Sequence, residues 1–215
     1  DCPATFFVTK PYVKQNQDLV KRMIDEGHIV GNHTVNHPSM PEVTNDEKLK
    51  TEIIGLHDYV KDLFDYEMEY LRPPKGEYSE RTVAISKNLG YKTVLWSSAY
   101  DDWDVNKQDR LEYAKGMIVN YVHNGCVMLL HAVSKDNTAL LGEIIDELRN
   151  KGYEFKSLDE FEYSFEQSKD VLNFKDDFDF DNDWIIFTNI DDLSQVEKDN
   201  RRNGRVFLRW ELKET

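Results

Sequence analysis

The chain has 215 residues and a formal net charge of −14, from 41 acidic and 27 basic side chains. This excess of acids argues against a nucleic-acid partner, because phosphate binding requires a basic face. Apolar residues make up 40% of the chain and aromatic residues 12%, enough for one domain or somewhat more. No apolar run approaches the length that a membrane-spanning helix needs.

The start of the chain is apolar and lacks an initiator Met. Residues 2–8 predict a core strand, so we expect an upstream part that would carry any targeting signal. Cys2 and Cys126 both lie in apolar runs. We expect buried free thiols, with a disulfide as the alternative.

The first half of the chain predicts strands that alternate with helices. Gly27 closes the first helix, and a capping box at 44–47 opens the second. In chain order the elements are a strand over 2–8, a helix over 15–26 with Leu19, Val20, Met23 and Ile24 on its apolar side, a strand over 28–30, a helix from 44–47 with Leu49, Ile53, Leu56, Val60 and Phe64 on one stripe, and a strand at 70–71.

The second half continues this alternation. Its elements are a helix from Ser79 to Gly90, a strand over 91–96, a helix over about 106–122, a strand over 126–130, an amphipathic helix over 138–151 and a strand over 153–156. Such regular alternation predicts an α/β fold, with a parallel sheet covered by helices and either open or closed into a barrel.

Polar side chains recur where the predicted strands end. In parallel α/β folds the carboxyl ends of the strands form one face, where active sites are built. We therefore expect a functional site there. The residues are, in strand order, His33 with His37, then Arg72, then Asp101 with Asp102, then His131.

Each of these residues also has a structural interpretation. The two histidines can face one metal ion if the backbone makes a single helical turn, but their spacing can also arise by chance. Arg72 can be a surface arginine before a rigid turn, and Asp102 can belong to a helix-start turn. His131 can be a core histidine bonded to a carbonyl group. The remaining histidines, His28, His57 and His123, are expected to be structural or solvated.

Five short motifs occur in order along the chain. They are Pro3-Ala4-Thr5-Phe6-Phe7-Val8, His33-Thr34-Val35-Asn36-His37-Pro38, Leu71-Arg72-Pro73-Pro74, Asp102-Trp103 and Leu129-Leu130-His131. Together they resemble the second to fifth motifs of the polysaccharide deacetylases, the NodB-homology carbohydrate esterases, and the resemblance covers about residues 1–161. The stretches 72–80 and 130–137 resemble more narrowly the spore-cortex branch, whose members de-N-acetylate muramic acid on the way to the muramic δ-lactam.

The resemblance implies a distorted (β/α)7 barrel, an extracytoplasmic location and a glycan substrate, foremost peptidoglycan. It also implies a divalent metal, usually zinc, held by one aspartate and two histidines. His33 and His37 fall on the two histidine ligands. Two neutral imidazoles and a carboxylate leave open coordination positions, as catalytic zinc sites do.

The same resemblance implies the catalytic roles. His131 falls on the general acid that protonates the departing amine, and Asp102 falls in the motif that orients this histidine. Arg72 falls on the residue that keeps the catalytic base ionised. Trp103 and Leu129 are expected to line the pocket, and a backbone N–H near Lys75 is expected to stabilise the oxyanion.

The chain departs from the family pattern in two places. Lys75 stands where the broader family often has an aromatic residue, which fits the spore-type branch better. The first motif, Thr-Phe-Asp-Asp-Gly, does not occur in the chain. It supplies the catalytic base and the aspartate ligand, and its strand is the first of the barrel. We expect these 215 residues alone to bind metal weakly and to be inactive, and the full-length parent to be active.

Residues 162–215 are predicted to be an acidic linker and a partial β-rich segment, distinct from a catalytic domain over 1–161. Asp177, Asp179, Asp181 and Asp183 alternate as in a calcium loop, but the EF-hand glycine is absent, so a solvated linker is preferred. The cluster also lacks the pattern needed to replace the first motif. Strands are predicted at 184–188 and 205–210.

Two classes of function remain. The first is a metal-dependent amidohydrolase that removes acetyl groups from a glycan. The second is a glycan-binding module that kept the fold but lost the catalytic base. A third interpretation, an unrelated metal hydrolase on a similar barrel, would need ligands other than His33 and His37.

Overall fold

The computed structural model describes residues 2–160 and 185–186. These residues fall into two compact units. The first contains residues 2–95, 155–160 and 185–186, and the second contains residues 96–154. The boundary lies directly after the fourth strand. Each unit carries some of the predicted site residues.

The first unit is a parallel sheet with the strand order β1-β2-β3-β4-β5. Helices connect the first four strands, and the predicted α/β fold with a parallel sheet is confirmed. In chain order the elements are β1 (Thr5–Val8), α1 (Lys10–Gln15), α2 (Gln17–Asp25), β2 (Ile29–Asn32), α3 (Asp46–Phe64), β3 (Tyr70–Leu71), α4 (Glu80–Asn88), β4 (Lys92–Val94) and β5 (Ile185–Ile186).

Helix α3 supplies the largest part of the core. Its apolar residues recur every three to four positions, so they share one face, and four of them are buried. The predicted capping box is wrong by one residue: Asn45 is the N-cap, and its side chain accepts a hydrogen bond from the Lys48 N–H. The core cluster consists of Val8, Val13, Val20, Val30, Met40, Leu49, Ile53, Leu56, Val60, Met68, Leu71, Ile85 and Tyr91.

The first predicted helix, over 15–26, corresponds to α2 and is confirmed, and a short helix that was not predicted, α1, precedes it. Helix α1 begins at Lys10, where Pro11 suits the first turn because it has no N–H to satisfy. Asn16 then leaves helical geometry, with φ of −134° and ψ of 43°, and α2 begins at Gln17. Leu19 was predicted on the apolar side of this helix, but 47% of its surface is exposed.

The second unit is built around two helices, α5 (Leu111–Tyr121) and α6 (Lys135–Asn150). The Lys115 ammonium bridges them, at 2.7 Å from Glu143 and 3.0 Å from Glu147. Helix α5 begins five residues later than predicted. Helix α6 begins earlier than predicted, because Ser134 caps it by accepting the Asn137 N–H.

Two predicted strands of the second half are wrong. Residues 126–130 make only an isolated parallel bridge, Ser98 with Met128. Residues 153–156 form no strand either. Residues 126–130 are apolar, and residues 153–156 alternate aromatic with charged side chains, patterns that favour extended backbone, but a strand also requires a partner along its length. The helix from Ser79 and the strand over 91–96 are confirmed, the latter shortened to β4.

Cys2 and Cys126 are not joined in a disulfide, as expected, but both are only partly buried. Burial raises the pKa of the Cys126 thiol. Within the described residues, every helix is too short or too polar to span a bilayer. Of the predicted tail strands, 184–188 corresponds to β5, while 205–210 and the acidic cluster lie outside the described residues.

A substitution at Gly31 of β2 tests how tightly this sheet is packed. A Cβ at this position would lie 2.5 Å from two ring atoms of Phe7 on β1, so the ring would have to move. We expect Gly31→Ala to lower the free energy of unfolding by about 1–3 kcal/mol, measured by urea denaturation.

Gly142→Ala is the matched control. Gly142 lies in helix α6, and an added Cβ would meet no atom within 4 Å. Alanine is a better helix former than glycine, so this change should stabilise the protein by about 0.5–1 kcal/mol. Equal effects of the two substitutions would contradict the packing described here.

Candidate functional site

The ends of β2 and β3 place His33 beside Arg72. The two strands are parallel, with Asn32 opposite Leu71. The Arg72 N–H donates to the Asn32 carbonyl oxygen at 3.0 Å, which extends the ladder by one residue beyond the pair. The residues that follow the two strands therefore lie side by side, as the strand-end argument predicted for this part of the site.

Two contacts with Arg72 determine which nitrogen of His33 carries the proton. The His33 Nδ1 lies 2.7 Å from the Arg72 carbonyl oxygen, and the His33 Nε2 lies 3.2 Å from an Arg72 guanidinium nitrogen. Arginine stays protonated, so it can only donate, and Nε2 must accept. Nδ1 therefore carries the proton and donates it to the carbonyl group. Nε2 presents a lone pair.

His33 and His37 lie next to each other. Their ring centroids are 4.6 Å apart, with the ring planes at 75°. His33 is buried and His37 is exposed. The expectation of a helical turn between them is wrong, because the segment leaves β2 as a loop with φ of +66° at Thr34 and +57° at His37. Positive φ in a β-branched residue such as Thr34 is a strained conformation, and other contacts must offset its energetic cost.

Asn32 and Glu52 hold this loop in place. The buried Asn32 side chain accepts the Thr34 N–H at 2.8 Å, and its amide donates to the Ile53 carbonyl oxygen and to the Tyr91 hydroxyl, both at 2.9 Å. From helix α3, the Glu52 carboxylate accepts two hydrogen bonds from Asn36. The loop is thus bonded at its start and at its middle.

The two imidazoles fit part of a metal site. His33 donates its Nδ1–H to a backbone carbonyl, the arrangement usual for a metal-ligating histidine, and its Nε2 accepts from the Arg72 guanidinium, which a metal ion at Nε2 would replace. Among residues 2–160, no group of three or more His, Cys, Asp or Glu side chains is placed to hold a metal ion. His33 and His37 therefore fit two ligand positions, and the rest of the set would come from elsewhere.

Lys75 lies in the short 3-10 turn Pro74–Gly76 and is exposed. Its φ is +59°, so this predicted site residue also has left-handed backbone. Two prolines before it restrict the chain, and Gly76 follows with φ of +70°. The two prolines limit the conformations of this turn. A backbone N–H near Lys75 would therefore keep a constant direction, as its predicted role requires.

In the second unit, the buried Asp102 pairs with the partly exposed His131. Only 1% of the Asp102 surface is exposed. Its Oδ1 lies 2.8 Å from the His131 Nδ1, and its Oδ2 accepts the His131 backbone N–H at 2.5 Å. An ionised carboxylate only accepts, so Nδ1 carries a proton and Nε2 is left to exchange one.

The neighbours of this pair differ in exposure. Trp103 is 51% exposed and Leu129 is half-buried. The Asp101 carboxylate forms an ion pair with Arg110, with 3.0 Å between Oδ1 and a guanidinium nitrogen, and does not pair with His131. Burial raises the pKa of the Asp101 carboxyl, but hydrogen bonds from Arg110 and Lys107 outweigh it and hold this pKa below its ordinary value.

The other three histidines make structural contacts. The His28 Nδ1 accepts the Ala4 N–H, and His57 lies between the Tyr91 hydroxyl and the Glu67 carboxylate. The His123 ring contacts the neighbouring Asn124 carbonyl oxygen. The prediction that all four strand-end sets share one face involves both units and stays a prediction.

Sequence reasoning missed three residues that order the site: Asn32, Glu52 and Asn137. Asn32 was detectable, since a polar residue that ends an apolar strand needs a bonding partner. Asn137 was also detectable, because it belongs to the stretch 130–137 that resembles the spore-cortex branch. Glu52 gave no signal, because it resembles any exposed acid on a helix.

The chain matches the family model described as "Polysaccharide deacetylase" over residues 1–94. It is 41% identical over 163 residues to "Peptidoglycan-N-acetylmuramic acid deacetylase PdaA" of Bacillus subtilis, covering 75% of this chain and 62% of that one. It is 34% identical to a "Peptidoglycan-N-acetylglucosamine deacetylase" of Bacillus cereus, covering 73% and 74%. The chain belongs to the polysaccharide deacetylase family.

The fold agrees with this assignment. The solved structure of Bacillus subtilis PdaA, "a family 4 Carbohydrate esterase", superposes with a TM-score of 0.70 at 40% identity, covering 74% of this chain and 68% of that one. These relatives are peptidoglycan deacetylases, hydrolases that act on amide bonds. The chain spans 60% of the length of a curated relative that is 50% identical to it, and 62% of the length of PdaA.

Asn32→Ala tests whether the buried amide holds the histidine loop. The change leaves the Thr34 N–H and the Ile53 carbonyl group without their partner, so we expect a loss of about 1–3 kcal/mol in the free energy of unfolding. Asn120→Ala, on the exposed side of α5, is the control and should change stability by less than about 0.5 kcal/mol. Similar urea midpoints for the two variants would refute the role of Asn32.

Proposed function

We propose that this protein removes the acetyl group from N-acetylated sugars of peptidoglycan, foremost N-acetylmuramic acid. The observation that carries the proposal is the His33–His37 pair, whose adjacent rings and lone pair on His33 Nε2 suit a metal-dependent hydrolase. The muramic substrate follows from the higher identity to the muramic acid deacetylase, 41% against 34% for the glucosamine enzyme.

His33 and His37 would hold a divalent metal, with zinc as the first candidate. Bound there, the metal would supply Lewis-acid chemistry at the acetamide carbonyl group. His33 contributes through its tautomer, because the Arg72 carbonyl group keeps the proton on Nδ1 and leaves Nε2 for a ligand bond. The rigid turn at Lys75 would present a backbone N–H to the negative charge that develops on the acetyl oxygen.

His131 would provide the proton for the leaving group. An amine departs poorly until it is protonated, so amide cleavage needs an acid close to the nitrogen. Asp102 bonds the Nδ1–H of His131 and stabilises the positively charged imidazolium, while Nε2 holds the transferable proton. Trp103 and Leu129 would contact the sugar or its acetyl group.

Arg72 would keep a carboxylate base ionised. Its guanidinium lies against the Phe7 ring, with 5.5 Å between the guanidinium carbon and the ring centroid, and beside His33. The carboxylates themselves belong to the Thr-Phe-Asp-Asp-Gly motif, which the 215 residues do not include. We propose an extracytoplasmic location and a role at the cell wall or spore, since peptidoglycan lies there.

The second candidate is a glycan-binding module without catalysis. Such a module would need neither a catalytic base nor a third metal ligand. The two candidates differ in one property, which is acetate release by a protein that contains both this chain and the first motif.

The test compares these 215 residues with a longer protein that adds an upstream Thr-Phe-Asp-Asp-Gly strand. Purified peptidoglycan is the substrate, and acetate release and the masses of digested muropeptides are measured. We expect no acetate from the 215 residues and steady release from the longer protein, with the lost acetyl group on muramic acid. His131→Gln in the longer protein should reduce kcat by about 10²–10⁴-fold.

His123→Gln is the matched control, and its activity should be unchanged. Deacetylation of glucosamine alone would refute the muramic substrate. Binding of peptidoglycan without acetate release by the longer protein would favour the binding module. Robust activity of the 215 residues alone would show that another carboxylate serves as base.

A further inference from the structure

Helix α6 places an asparagine against the Asp102–His131 pair. Ser134 caps the helix and accepts the Asn137 N–H at 3.1 Å, so Asn137 is the third residue of the first turn. Its side chain is buried, with 7% of the residue exposed. Buried amides require hydrogen-bond partners, and those of Asn137 are all residues around the pair.

Asn137 donates to both members of the pair. Its Nδ2 lies 2.7 Å from the Asp102 Oδ2 and 3.3 Å from the His131 carbonyl oxygen. Both partners can only accept, so the NH₂ group must face them. The Tyr100 hydroxyl donates to the amide oxygen on the other side. Burial raises the pKa of Tyr100, so this hydroxyl keeps its proton.

These contacts leave the Asp102 carboxylate little freedom. Its Oδ2 receives the His131 backbone N–H and the Asn137 amide, which orients the carboxylate so that Oδ1 accepts the His131 Nδ1–H. Without the amide, Oδ2 loses one of its two donors, and the carboxylate is less firmly oriented. A free histidine side chain in water prefers the other neutral tautomer, with the proton on Nε2, so a less firmly oriented His131 would become a mixture.

We propose that Asn137 is a positioning residue that orients Asp102, and through it holds the proton of neutral His131 on Nδ1. The proposal rests on the proposed function in one respect only. The tautomer matters because His131, as proton donor, gives up the proton on Nε2 and is left neutral with its remaining proton on Nδ1. Holding Nδ1–H toward Asp102 reserves Nε2 for the reaction at every turnover.

The test is the tautomer of His131, read from long-range ¹H–¹⁵N correlations of the histidine rings above their pKa. His131→Gln identifies the signal. In the parent protein we expect the proton on Nδ1. In Asn137→Ala we expect a mixture of both tautomers, and in an active form of the protein a kcat about tenfold lower with KM unchanged, a part of what a general acid contributes.

Thr138→Ala is the matched control. Thr138 follows Asn137 in the same turn, and its hydroxyl bonds only the Ser134 carbonyl oxygen. It should leave the tautomer and kcat unchanged. Asn137→Leu is the second variant, because leucine keeps the branching and the number of side-chain heavy atoms but lacks the amide, so it leaves no cavity. It should shift the tautomer as Asn137→Ala does.

A folded variant at position 137 that keeps His131 wholly on Nδ1 would overturn the proposal. So would a parent protein whose neutral His131 carries its proton on Nε2, a result that needs no variant. If the tautomer shifts as expected while His131→Gln stays fully active, the positioning role stands and the assigned role of His131 in the proposed function fails.

Discussion

The pairing of β2 with β3 is the constraint on which the first unit depends. Because Asn32 lies opposite Leu71 and the Arg72 N–H bonds the Asn32 carbonyl group, His33 leaves the sheet directly beside Arg72. The Arg72 carbonyl group then selects the His33 tautomer. A slip of one residue would turn His33 to the other face of the sheet and remove both contacts.

The same physical device recurs in the second unit. There a buried carboxylate, Asp102, holds Nδ1–H of His131, as a backbone carbonyl holds that of His33. In each case the proton is held on Nδ1 and the lone pair is on Nε2, which at His33 accepts a hydrogen bond from Arg72. A neutral amide supports each arrangement, Asn32 under the histidine loop and Asn137 against Asp102. Reactive side chains that depend on one tautomer need such fixed neighbours.

The sequence predicted the fold class and the local order of elements, because hydrophobic periodicity and caps act over a few residues. It correctly placed α3, the helix after Ser79 and the short strand at Tyr70. It missed the short helix α1, and it failed at residues 126–130, where an apolar run has a single bridge. It also could not foresee left-handed backbone at Thr34 and His37, since the Asn32 side chain that bonds Thr34 is itself held by Ile53 and Tyr91, which are distant in the chain.

We propose that His33 and His37 bind one metal ion together. Zinc K-edge X-ray absorption of the zinc-loaded protein tests it directly, since imidazole nitrogens at about 2.0–2.1 Å give a distinct outer-shell scattering. We predict two imidazole ligands per zinc ion in the unsubstituted protein and one in His33→Ala or His37→Ala. The control, His57→Ala, should keep two imidazole ligands. Zinc bound with the same imidazole count in His33→Ala as in the parent would contradict the account.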